Sequence, residues 1–407
     1  MKRLLAAILL LAAQAHAADL PDPLVAADGT KVTTAAQWRE KRRPELLEFF
    51  TREMYGRNPG RPEKLVSEVF DRDPQALGGK ATRIQIAIYP GGKPGPRMDL
   101  LVYVPNGFKS QVPAIVGLNF LGNHAIHADP GIRLTESWVE NSSQPSSDHR
   151  ATEASRGINS KQWQVEEILS KGYALATIYR EDVCADRQPY FESGAQSLFP
   201  ELQKGDENFG CIAAWAWSLS RALDVLEKEP SIDAKRVAVF GFSRLGKAAL
   251  WAGACDERFA MVISNESGAG GAKLFRRGIG EDINRLNTKF PHWFARNFRK
   301  YIGKDTELPF DQHLAISLVA PRPIYVASAL DDKHSDPEGE FAGAKSAEPV
   351  FRLLGASGLP ADTWPPVDTS VQGGIGYHVR TGKHDVTAFD WQQFLAFADK
   401  HLKAAGN

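Results

Sequence analysis

Cysteine is scarce in this chain of 407 residues: only Cys184, Cys211 and Cys255 occur. That excludes a disulfide scaffold and allows at most one bridge with one thiol left over; three small buried residues would fit equally well. Cysteine and histidine show no zinc-ligand spacing, so no metal is expected. Neither sign of charge predominates, with Lys plus Arg and Asp plus Glu at 49 each. A neutral balance gives no reason to expect nucleic acid or an anionic membrane as partner. No apolar run reaches the roughly 20 residues that span a bilayer. No repeat period and no Ser/Pro-rich linker divides the sequence, which points to one domain.

What is present begins with Met1-Lys2-Arg3, an apolar stretch from Leu4 to Ala15, and the small-x-small triplet Ala15-His16-Ala17. This is the layout of a secretory signal peptide over 1–17, with cleavage after Ala17; a buried N-terminal helix is the plainer alternative. The mature chain, 18–407, is then a periplasmic or secreted protein with no membrane segment. At 43% hydrophobic and 10% aromatic it can bury a substantial core.

Residues 18–65 read as helical and polar. Ile84, Ile86 and Ile88 alternate in a strand that ends at Tyr89, and 98–104 completes an antiparallel hairpin across the turn at 91–96. Short apolar strands follow at 113–120, 172–179, 236–240, 259–264 and 323–329. Helical patterns stand at 163–169, 211–226, 248–254, 344–354 and 390–402. Residues 121–160 lack periodicity and read as a long, functional loop. Strands alternating with helices predict an α/β fold: a mostly parallel sheet covered on both faces.

The chemistry concentrates at Val239-Phe240-Gly241-Phe242-Ser243-Arg244-Leu245-Gly246-Lys247. An apolar strand runs into a serine and then an Ala-rich helix, the pattern of a nucleophile elbow that lifts the hydroxyl above the sheet. The usual spacing is G-x-S-x-G; here it is G-x-S-x-x-G. A serine in this place is also an ordinary helix N-cap. Serine needs a base, and the base needs an acid, in the chain order Ser, acid, His. His384 precedes the last helix and fits the base, although alone it reads as a solvated loop histidine; His378 is its one close competitor. Glu266 and Asp332 both follow strands, at the sheet edge where such folds place their sites.

Several blocks then carry a resemblance: residues 241–247, Trp251-Ala252-Gly253-Ala254, Ser264-Asn265-Glu266-Ser267-Gly268-Ala269-Gly270-Gly271, Phe290-Pro291-His292-Trp293-Phe294, Asp336-Pro337 with Gly339-Glu340-Phe341, and Gly382-Lys383-His384-Asp385. From about Asn119 to the C-terminus the chain resembles the glucuronoyl esterases, carbohydrate esterase family 15. The resemblance implies an α/β-hydrolase fold, a three-layer α/β/α sandwich, and cleavage of 4-O-methyl-glucuronate esters that link lignin to xylan. It implies Ser243 as nucleophile, His384 as base, and Glu266 or Asp332 as acid, with Glu266 favoured by the fuller match around it. Arg244 would complete the oxyanion hole, and Lys247 and Glu281 would bind sugar hydroxyls. Where the family often has tryptophan, this chain has His334, at the border of the expected sugar pocket. A monomer without cofactor acting on glucuronoxylan is the resulting expectation. An esterase of the same fold acting on acetyl or other carbohydrate esters is the near alternative, kept open by His334. A catalytically dead carbohydrate-binding protein is the remote one, opposed by the intact Ser, His and two acids. Trp163, Trp251 and Trp293 read as core or sugar platforms, with core preferred for Trp251.

Overall fold

Period-2 alternation along the strands divides the interior into two layers. In the computed structural model, which describes residues 20–189 and 191–403, the strands are β1 (Val66–Ala76), β2 (Ala81–Tyr89), β3 (Met98–Pro105), β4 (Val112–Asn119), β5 (Ser146–Ser147), β6 (Arg150–Ala151), β7 (Ala174–Tyr179), β8 (Ile232–Phe242), β9 (Met261–Asn265), β10 (Ile324–Ala329), β11 (Thr369–Gln372) and β12 (Ile375–Arg380). Val237 and Val239 of β8 join one hydrophobic layer, Ala238 and Phe240 the other. Ala114 and Val116 of β4 likewise oppose Ile115. The Cys211–Leu226 and Arg244–Cys255 helices cover the first face, and the Ala388–Leu402 and Val165–Ser170 helices the second. A sheet buried on both faces needs continuous apolar strands, as β4, β7 and β10 have.

Ten strands form one sheet in the order β1-β2-β3-β7-β4-β8-β9-β10-β12-β11. Pairing is parallel from β7 through β4, β8, β9 and β10 to β12. It is antiparallel along β1-β2-β3-β7 and at β11–β12. The expected α/β/α sandwich with a mostly parallel sheet is what forms.

Several local expectations need correction. Among the described residues 20–65, helix is confined to consecutive α and π turns from Ala35 to Tyr55. The exposed edge strand β1 begins at Val66. The expected helix at 344–354 is two, Pro337–Ser346 and Glu348–Leu353. The 121–160 loop contains the β5–β6 hairpin and two short 3-10 turns. Strand β12 was not foreseen at all. Cys184 and Cys211 are disulfide-bonded and Cys255 is free, its thiol pushed up to about 12 by burial. Among the described residues no helix is long and apolar enough to cross a membrane. The expected signal peptide and its cleavage point lie outside the described residues.

Strand β12 carries two polar residues into the core, where each is compensated. His378 bonds Asp390 at 2.8 Å through Nε2 and the Tyr325 hydroxyl at 3.0 Å through Nδ1. Arg380 Nε donates to the other Asp390 oxygen at 2.8 Å. Asp390 also caps its own helix through Thr387. His378 is therefore a structural histidine, outside the site described below. Removing one partner of such a buried cluster strands the others without water. Asp390→Ala should therefore cost about 3–5 kcal/mol of stability, read as a lower urea midpoint with an unchanged slope.

Candidate active site

The turn at Ser243 is built by crowding. A Cβ on Gly241 would lie 1.9 Å from the Leu245 carbonyl oxygen. At Gly246 it would lie 3.0 Å from the Asn265 carbonyl oxygen and 3.1 Å from Cβ of Ser267. Position 245 is instead a buried leucine. The close approach thus falls at 246 and not at 245, one residue later than in the common spacing, in keeping with G-x-S-x-x-G. Ser243 itself has φ 57° and ψ −131°, a region that costs a non-glycine residue about 1–3 kcal/mol. Its backbone N–H is tied to the Asn265 carbonyl at 2.9 Å, and the Arg244–Cys255 helix starts at the next residue.

One cleft of about 320 Å³ is lined by Ser243, Arg244, Lys247, Glu266, Glu281, Asp332, His334 and His384. All eight candidate residues, drawn from more than 140 positions of sequence, meet there. Arg285, Phe290 and Ser335 also line it; nothing in the sequence singled out Arg285 or Ser335. Of the tryptophans, Trp251 is core, stacked on Tyr55 at 4.2 Å. Trp163 packs on Phe240 at 5.8 Å. Trp293 stacks on Phe290 at 3.8 Å and faces the cleft.

His384 lies beside Phe242, ring centroids 4.6 Å apart. Its Nδ1 is 2.7 Å from Asp332 Oδ2 and 3.0 Å from Glu266 Oε2. Burial works against its charged form, but the hydrogen bonds it donates to Asp332 and then Glu266 outweigh it and hold the imidazole up at about 9. The two acids differ. Burial would raise Asp332, yet its bond to His384 brings it below the ordinary aspartate value. Burial dominates at Glu266 and lifts it to about 7. Glu266 is also engaged elsewhere: Oε1 accepts from Arg380 Nη2 at 2.7 Å, and Oε2 from the Asp385 backbone N–H at 3.1 Å. The same guanidinium nitrogen donates to the Lys383 and Asp385 carbonyls. Glu266 and Arg380 together fasten the loop that carries His384. Geometry and charge thus rank Asp332 ahead of Glu266, the reverse of the sequence-based order.

Lys247 is buried, and its ammonium donates to the Ser267 carbonyl (2.7 Å), the Ala269 carbonyl (2.6 Å) and Glu281 Oε2 (2.9 Å). Three acceptors satisfy its three protons. Burial opposes ionisation of Glu281, but Lys247 overcomes it and holds that carboxyl at about 2. His334, half-exposed, brings Nε2 to 3.6 Å from Glu281 Oε1. Arg244 directs Nη1 to Asp186 at 2.5 Å and lays its guanidinium over Trp293, 4.8 Å from the ring centroid. Its Nε has no hydrogen-bond partner among the described residues. A strained serine, an imidazole backed by carboxylates and an arginine with unused donors can together form and stabilise a tetrahedral oxyanion.

A family model described as "Glucuronyl esterase, fungi" matches residues 135–355. A "Carbohydrate esterase MZ0003" from an unknown prokaryotic organism is 49% identical over 392 residues, covering 94% of this chain and 89% of its own. The solved glucuronoyl esterase from Solibacter usitatus is 46% identical with a TM-score of 0.89, covering 94% of this chain and 98% of that one. A "4-O-methyl-glucuronoyl methylesterase" from Schizophyllum commune is 27% identical over 345 residues, 83% of this chain and 74% of its own.

The ranking of the acids predicts unequal variants. Asp332→Asn should lower kcat by about 10²- to 10⁴-fold, within the range known for loss of a triad acid, and Glu266→Gln by less. The base works only when neutral, so activity should rise with pH toward about 9, where His384 loses its proton. Removing the Asp332 charge favours the neutral imidazole, so the acid limb of kcat/KM should move to lower pH in Asp332→Asn. Full pH–rate profiles of the two variants check both statements.

Proposed function

We propose, for a chain that belongs to the glucuronoyl esterases of carbohydrate esterase family 15, the following mechanism on 4-O-methyl-glucuronate esters such as the lignin–xylan linkages of plant cell walls. The protein is a carboxylic ester hydrolase, and its substrate is a uronate-ester carbohydrate. Ser243 Oγ attacks the ester carbonyl while the His384 imidazole takes its proton. The oxyanion gathers against the Arg244 guanidinium and the backbone N–H that follows the nucleophile. His384 returns the proton to the departing alcohol, and a uronoyl ester on Ser243 remains. Water, deprotonated by the same imidazole, then releases the uronic acid and regenerates Ser243. Asp332 holds the His384 tautomer and stabilises the imidazolium; Glu266 supports it and fixes the loop. No step calls for a cofactor.

The observation that carries this reading is the meeting of Ser243, Arg244 and His384 with its two acids in the same cleft as the Lys247–Glu281 pair. An ester-cleaving machine and a hydroxyl-recognition pair side by side suit an ester of a sugar acid. Glu281, held anionic, accepts from a sugar hydroxyl. Lys247, its three protons already given to Ser267, Ala269 and Glu281, keeps that carboxylate charged and in place. His334 borders this subsite in place of an indole, which makes it a polar wall. We further propose that residues 18–407 act as one catalytic domain and as a monomer, exported to the periplasm or medium. The Cys184–Cys211 disulfide supports export, since such bonds persist in oxidising compartments.

Three measurements test the reading. Benzyl and methyl glucuronate should be hydrolysed in preference to the galacturonate epimers, and Ser243→Ala, folded, should lose all detectable turnover; unchanged turnover would remove the nucleophile. Glu281→Gln should raise KM for glucuronate esters about tenfold, the scale of one charge-assisted hydrogen bond, while sparing a simple acetate ester. Equal losses on both substrates would contradict a role in sugar recognition.

A further inference from the structure

Asp186 takes no part in the steps above, yet its side chain, 1% exposed, accepts from four groups. They are Arg244 Nη1 (2.5 Å), His292 Nε2 (3.0 Å), Trp293 Nε1 (2.8 Å) and Arg180. Burial alone would raise its pKa; Arg180 and Arg244 reverse that and hold it far below the carboxylate range. We infer that Asp186 is a positioning residue for the oxyanion, fixing the Arg244 guanidinium in the orientation that meets the reacting carbonyl.

The mounting of Asp186 argues for this. Two residues before it, Cys184 is bonded to Cys211 at the start of the Cys211–Leu226 helix. The Cys211 N–H donates to the His292 carbonyl at 2.9 Å, and the Ile212 N–H to the Trp293 carbonyl at 3.1 Å. Two of the four residues that donate to Asp186, His292 and Trp293, are therefore fastened to the same helix end as the segment that carries it. The Trp293 ring, anchored through its N–H, is also the surface over which the guanidinium lies. Arg244 is thus held edge-on by a carboxylate and face-on by an indole, both attached to one frame. Without that frame a partly exposed arginine side chain samples many rotamers, and each misplacement weakens a donor that must act at one point.

Charge accounting points the same way. Arg180 and Arg244 share the one Asp186 carboxylate, while Arg187 pairs with Glu181 at 2.6 Å. Three guanidinium groups face two carboxylates, so the cluster keeps a net positive charge. A one-to-one ion pair would orient Arg244 but cancel its field. Sharing Asp186 with Arg180 orients Arg244 and leaves positive charge for the oxyanion.

The inference rests on the oxyanion role proposed for Arg244, and the test separates the two. Steady-state kinetics on benzyl glucuronate are compared for Asp186→Asn, Arg244→Ala and the double variant. Arg244→Ala should lower kcat by about 10²- to 10³-fold. Asp186→Asn should lower kcat by about 10- to 100-fold, as a misplaced donor does, with KM changed by less than about threefold. On the Arg244→Ala background the same Asp186→Asn change should cost less than about threefold, because nothing is left to position. An unimpaired Asp186→Asn, or an equal loss on both backgrounds, would overturn the inference and leave the Arg244 role standing. An unimpaired Arg244→Ala would remove the oxyanion role and the inference with it. If Asp186→Asn does not fold, His292→Phe withdraws one donor from the carboxylate and leaves both arginines. It should give a smaller kcat loss that again vanishes on the Arg244→Ala background, and a loss that persists there would overturn the inference.

Discussion

Everything in the cleft is referred to one crowded turn. Gly241 admits backbone where a Cβ would collide, Gly246 leaves only tight room for one, and between them Ser243 is held at positive φ. The strain persists because the surrounding structure fixes it: β8 enters from one side, the Arg244–Cys255 helix leaves on the other, and the Asn265 carbonyl holds the serine N–H. Since β9 pairs with β8, the tie to Asn265 also sets where Glu266 stands. Since β10 pairs with β9, and β12 with β10, the Asp332 and His384 loops are positioned relative to the same point. The parallel sheet converts one local constraint into the spacing of a whole catalytic set.

Two carboxylates on one imidazole nitrogen would be redundant if both were only triad acids. Their surroundings divide the work. Asp332 spends one oxygen on His384 and the other on the Ser335 N–H. Glu266 is coupled through Arg380 to Asp390 and His378, a buried polar chain reaching the second face of the sheet. The first acid is placed to respond to the charge on His384. The second ties the His384 loop to the core. Asp186 does for Arg244 what Glu266 does for the loop. A carboxylate remote from the reacting atoms determines where a charged donor stands.

Much of this was legible in the sequence because it depends on short-range pattern. The apolar strands from 98 onward, the sequence around Ser243 and the loop histidine are read from neighbouring residues. The exposed edge strand β1 was missed because its residues are mostly polar on both faces. Strand β12 was missed because His378 and Arg380 make it look like a loop; their burial is permitted by partners distant in sequence, Asp390 for both, with Tyr325 for His378 and Glu266 for Arg380. The geometry orders the two acids differently from the motif for a related reason. Motif completeness favoured Glu266, but which oxygen approaches Nδ1 depends on Arg380, a contact between distant segments. Asp186 carried no local signal, since its importance comes from four donors scattered over 180–293.

The central claim is that ester cleavage passes through a uronoyl ester of Ser243. The most direct measurement is partitioning between water and added hydroxylamine, with benzyl, phenyl and methyl glucuronate compared at initial rates and corrected for the uncatalysed reaction. A common acyl-enzyme has already lost its alcohol. The ratio of hydroxamate to free uronic acid should therefore be the same for all three esters, even where their overall rates differ. A ratio that changes with the leaving alcohol would mean that the nucleophile attacks while the alcohol is still attached, and would contradict the account.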